Sequence, residues 1–159
     1  MKTNSGRSKF SRATPTDAQL IMQLYDLRRE AELRKARVWC TQTFFPKSLD
    51  EIVAVFQARG TDENRWLRQF ITYYEMAASL VNRGALNRDL FEDSVTEHIN
   101  VYAKFRPFLK DVRVKIGWPN FMQHTEQLVE NSPRGREMVK TMLRWFEERR
   151  AREAKAAQR

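Results

Sequence analysis

Two histidines, one cysteine and a scatter of carboxylates are the groups in this 159-residue chain that could do chemistry. His98 and His124 would each need partners at a fixed spacing. A di-iron carboxylate bundle sets a glutamate three residues before a histidine, but those positions hold Val95 and Phe121. There is no HExxH pair, no second cysteine, no EF-hand loop and no glycine-rich phosphate loop. Asp89, Glu92, Asp93 and Glu97 lie close together in sequence and read as a solvated acidic face. The lone Cys40 cannot form an internal disulfide and reads as a buried, inert thiol in a reduced, cytoplasmic setting. The expectation is a chain with no catalytic constellation, no cofactor and no metal site, leaning away from an enzyme.

Charge offers a second kind of chemistry. The net charge is +9, but it is unevenly placed. Residues 1–13 carry Lys2, Arg7, Lys9 and Arg12 with no acid, and residues 144–159 carry six basic residues against three acids. The stretch between is nearly balanced. Within it Arg106, Lys110 and Arg113 recur at i, i+4 and i+7, so one helix face could track phosphates. Aromatic residues sit mostly at core spacings and do not interleave with these cations as stacking platforms. Non-specific nucleic-acid or polyanion binding is therefore the alternative reading. Glu75 stands apart, as one acid inside a strongly apolar helix. It reads either as part of a wet strip with Thr72 and Ser79 or as a buried carboxylate.

These residues must be held by helices, because five glycines and five prolines leave few tight turns. The periodicity predicts an all-α, single-domain bundle of six helices, or seven if Pro107 breaks the fourth. Thr14 or Thr16 caps a first long helix with an apolar stripe of Leu20, Leu24, Leu27, Ala31 and Val38. Ser48 and Glu51 form a capping box for a second. A third, from Thr61 or Asp62 to about Arg83, is apolar nearly all round and reads as central. Asn87 caps the fourth, Pro119 opens a fifth, and Ser132 with Pro133 opens the last. The bundle is expected over residues 14–147. A disordered basic arm (1–13) precedes it, and a charged tail (148–159) that frays or projects follows. No apolar run reaches the roughly 20 residues of a membrane helix, so no membrane insertion is expected.

The stretch YYEMAASLVNRGALNRDLFED, residues 73–93, resembles the helix-turn-helix of a DNA reader in outline only. Its second helix would carry Arg88 against Asp89, Glu92, Asp93 and Glu97, and phosphate would repel that face. It reads better as a helical hairpin, with Gly84 just past one helix and Asn87 capping the next.

The block FFPKSLDEIVAVFQARGTDENRWLRQFITYYEMAASLVNRGALNRDLFED, followed by VYAKFRPFLKDVR, resembles a group of small helical bacterial proteins of unknown function. The resemblance spans about Phe44 to Arg113. It implies a helical fold and a bacterial cytoplasm, and it transfers no active site. Together these readings favour a non-enzymatic module that self-associates or docks on a protein partner through a helix face.

Overall fold

The computed structural model describes residues 12–158, which form nine α-helices and no strand among them. Residues 1–11, most of the expected basic arm, lie outside the described residues. The helices are α1 (Pro15–Arg28), α2 (Ala31–Val38), α3 (Leu49–Gln57), α4 (Asp62–Asn82), α5 (Arg88–Ser94), α6 (Glu97–Phe105), α7 (Leu109–Lys115), α8 (Gln123–Glu130) and α9 (Pro133–Ala157). A π-helical turn, Trp39–Thr43, follows α2, and a 3-10 turn, Arg106–Phe108, links α6 to α7.

The all-helical class is as expected, but there are more helices than six or seven, because two breaks carry no glycine or proline. The first long helix ends at Arg28, and Glu30 then accepts the amide of Leu33 at 2.8 Å to start α2. The change of direction leaves Leu27 and Val38, expected inside, 55% and 49% exposed. The second break falls at Val95 and Thr96, both non-helical, which separates α5 from α6. Pro107 interrupts the chain after Phe105, as its missing N–H requires. Pro119 does not open a helix. Residues 119–122 form turns, Met122 adopts a left-handed φ of 56°, and α8 begins only at Gln123.

The caps follow the sequence. Thr14 and Asp17 form a reciprocal capping box on α1. Thr61 and Ser132 accept the amides of Asn64 and Gly135. Ser48 accepts the amide of Glu51, whose carboxylate reaches back to the amide of Lys47.

The most enclosed element is α6 rather than the long α4: seven of its nine residues are buried. It packs against α8 and α9, while α4 lies against α2, α3, α5 and α8. Phe56, Phe70, Phe105, Phe121 and Tyr102 fill the main core. A smaller cluster of Leu24, Ala77, Ala78, Phe91 and Leu128 joins α1, α4, α5 and α8. Fully burying one such large side chain is worth about 1.5–3 kcal/mol, so these clusters carry most of the stability. The last helix continues through the charged segment to Ala157, and all its described residues from Arg150 on are exposed.

Candidate functional site

The Arg106–Lys110–Arg113 stripe lies against α8, whose carboxylates meet it. Arg106 donates to Glu130 at 2.7 Å, and Arg113 donates to Glu126 at 2.7 Å and to the Phe121 carbonyl at 2.9 Å. Lys110 is exposed and has no ion pair among the described residues. Two of the three positive charges thus serve to fasten α7 and its entry to α8.

Glu75 is half-buried, with both oxygens directed at the start of α8. The amides of His124 and Thr125 donate to it at 2.6 and 3.0 Å, and the Thr125 hydroxyl donates at 2.8 Å. Met122 precedes α8 without a capping side chain, so the carboxylate from α4 satisfies amides that would otherwise be orphaned. Nearby, Asn82 donates to the His124 carbonyl at 2.9 Å. Glu75 and Asn82 thus join α4 to α8, whereas the hydroxyls of Thr72 and Ser79 donate to carbonyls of their own helix.

At the hairpin, Arg83 ends α4 and Gly84 follows with φ +72°. The Ala85 amide returns to the Leu80 carbonyl at 2.9 Å. The Asn87 side chain accepts the Leu90 amide at 2.9 Å and its own amide donates to Asp17, tying the hairpin to the start of α1.

The acidic run does not form one solvated face. Glu97 receives Arg37 through two hydrogen bonds, of 2.8 and 2.5 Å, and the Tyr74 hydroxyl at 2.5 Å, with Arg28 at 3.8 Å. Burial raises its pKa, but these donors outweigh burial and hold the carboxyl below the usual range. Tyr74 is pushed upward, by burial first and by Glu97 second. Glu92 accepts from Arg88 and Ser132, and Asp93 from Arg134. His98 is buried between Tyr74 and Phe91, and neither ring nitrogen has a hydrogen-bond partner among the described residues. Burial pushes its pKa down to about 4. Burial likewise pushes the Cys40 thiol up to about 12, which leaves it protonated and unreactive. Among the described residues no three His, Cys, Asp or Glu side chains gather as a metal site, and no helix is long and apolar enough to cross a membrane.

Two features escape the sequence reading. The first is a groove between α2 and α4. Trp66, Gln69, Tyr73 and Met76 follow one flank of α4, and two open clefts lie along it. One, of about 410 Å³, is lined by Val38, Trp39 and Trp66 with Arg34 and Lys35 at its rim. The other, of about 430 Å³, is lined by Leu27, Leu33, Tyr73 and Met76. Trp39 and Trp66 lie 6.3 Å apart, and Trp39 stacks on Phe44 at 4.7 Å, which fixes its ring. The signal was in the sequence, as two partly amphipathic helices each bearing a tryptophan, but a continuous helix through Arg29 hid the groove.

The second feature is Lys104, an ammonium enclosed by apolar residues. It is 4% exposed and donates to the Cys40 carbonyl at 2.6 Å. Its sequence signal is a single charge inside VYAKF.

These features define the class: an all-helical domain whose polar side chains mostly lock helices together, with an apolar groove left open. The chain belongs to a family described as Domain of unknown function (DUF4760), whose model matches residues 13–132. That match is wider than the Phe44–Arg113 resemblance and takes in α1 through α8, with α9 beyond it. No curated protein and no solved structure matches the chain.

Proposed function

We propose that this domain is a protein-interaction module that receives an amphipathic helix of a partner chain in the α2–α4 groove. The observation that carries the reading is the pairing of Trp39 and Trp66 in an open, apolar cleft, with a second cleft beside Tyr73 and Met76 beyond the contact of Gln69 with Glu30. From Trp66 to Met76 the flank of α4 runs about 15 Å, enough to seat anchors two helical turns apart. Tryptophan and arginine are the residue types that dominate binding energy at protein interfaces. Arg34 makes no ion pair among the described residues, so the rim favours an acidic residue beside the partner's apolar anchors. A second copy of the chain is the simplest partner. The lone buried thiol fits a cytoplasmic setting.

Polyanion binding through the Arg106–Lys110–Arg113 stripe has less support, because Glu130 and Glu126 already engage two of its members. A photo-crosslinking residue at Val38 tests the proposal, with Val114 as the exposed apolar control outside the groove. A discrete adduct formed from Val38 and not from Val114 supports it. Equal labelling from both sites refutes it.

A further inference from the structure

The segment 44–48 folds against α6 and α9 and encloses a cleft of about 210 Å³. Lys104 lies at its base, and no carboxylate among the described residues meets its ammonium. The nitrogen is 2.6 Å from the Cys40 carbonyl oxygen, 3.4 Å from that of Thr41 and 3.9 Å from the centre of the Phe45 ring. Buried cations are ordinarily matched by an anion, since carbonyl dipoles and a ring face only partly replace lost hydration. The walls beside it, Ala103, Pro107, Leu143 and Phe146, are apolar.

Charge at the mouth is mostly matched. Glu153 accepts from Arg149 at 2.8 Å and faces Lys47 at 3.4 Å, and Arg150 donates to the Pro46 carbonyl at 2.9 Å. Glu147 also lines the cleft and is exposed. The cations Lys47, Lys104, Arg149 and Arg150 outnumber these two acids, and one of the two excess charges is Lys104 at the base, away from both acids.

We infer that this cleft binds a small organic carboxylate, its charged end on Lys104 and its aliphatic or aromatic body against Leu143 and Phe146. The volume equals roughly seven water molecules at about 30 Å³ each, which limits the body to a short chain or a single ring. Phosphate recognition would call for converging backbone N–H groups or a free arginine fork. The base of the cleft offers carbonyl oxygens, Arg149 is held by Glu153, and Arg150 at the mouth is turned to the Pro46 carbonyl. Burial, countered by Cys40 and aided by Arg149, pushes Lys104 down to about 7. A bound carboxylate would restore the proton, so binding above neutrality takes one up. One wall of the cleft comes from α9, outside the residues matched by the family model.

Benzoate and butyrate titrated into the isotopically labelled full chain near pH 7 test the site, with benzyl alcohol and inorganic phosphate alongside. The expected result is saturable amide shifts at Ala103, Phe105 and Phe146 with a carboxylate and not with the alcohol. Lys104→Met should weaken binding at least tenfold, and calorimetry in two buffers at pH 8 should show proton uptake. Arg149→Gln keeps Lys104 but removes the cation 3.8 Å from the Phe45 ring; measured at pH 6, where Lys104 is largely protonated with or without Arg149, it should weaken binding by roughly threefold through lost attraction. The proposal falls if neither carboxylate saturates, if benzyl alcohol binds equally, if phosphate binds in their place, or if affinity survives both substitutions.

Discussion

Glu75 of α4 holds the first turn of α8 through the amide of His124, which donates to its carboxylate at 2.6 Å. The Thr125 amide and hydroxyl complete the cap from the same short segment. A capping side chain normally comes from the residue that starts the helix. Here it comes from another helix, about fifty residues earlier, so local helix formation and tertiary packing are coupled. Glu75→Ala should destabilise the protein by about 2 kcal/mol, and Glu75→Gln, which keeps an acceptor, by about half as much. Urea unfolding measures both. An unchanged midpoint for Glu75→Ala would show that the cap contributes nothing.

His98 makes stability depend on pH in a stated direction. Its pKa is about 4 in the folded protein, against about 6.5 in an unfolded chain. Between these values the unfolded state binds more protons, so stability falls as pH drops from 6.5 towards 4. The loss should be about 2–3 kcal/mol, because holding one proton off the ring costs about 1.36 kcal/mol for every pH unit crossed. Glu97, held below the usual carboxylate range, is protonated only at lower pH and adds a later loss. His98→Phe keeps the contacts with Tyr74 and Phe91 and removes two unpaired nitrogens. It should flatten the stability curve between pH 6.5 and 4 without lowering stability at pH 7, as unfolding at several pH values will measure.

Two glycines differ in the reason a side chain is excluded. Gly84 has φ +72° with open space around it, so Gly84→Val is costly through backbone strain, by more than about 1 kcal/mol. Gly135 has ordinary backbone angles, but a Cβ there would stand 2.5 Å from the Val129 carbonyl oxygen. Gly135→Ala must push α9 away from α8 and should cost about 1–3 kcal/mol. Thermal melts separate the two: Gly84→Asn, which tolerates positive φ, should recover much of the loss at the first position, and no side chain should recover it at the second.

Local signals were legible in the sequence. Thr14 with Asp17, Thr61, Asn87 and Ser132 each cap the helix expected from residue type and spacing. The helix breaks at Arg29–Glu30 and Val95–Thr96 were not legible, because neither carries glycine or proline: Arg29 and Glu30 are good helix formers, and the weaker propensity of β-branched Val95 and Thr96 does not by itself end a helix. Glu97 shows the same limit: its partners Arg28, Arg37 and Tyr74 come from three other regions of the chain. Lys104 is not legible either, since nothing local in VYAKF shows that the Cys40 and Thr41 carbonyls would enclose it. Charge on a helix says which side chains can meet a phosphate, but a facing helix with Glu126 and Glu130 decides whether they are available.

The groove between α2 and α4 is the centre of the functional account, and Val38 at its rim is the place to measure it. A photo-activated crosslinker at Val38, introduced in the source cells, should yield one predominant adduct, either a dimer of this chain or a single partner. Its crosslinked peptide should be an amphipathic segment with acidic flanks, and Val38→Glu in a competing copy should fail to reduce the yield while the unmodified chain reduces it. A crosslinking pattern at Val38 no different from that at Val114, or an adduct peptide without apolar anchors, would contradict the account.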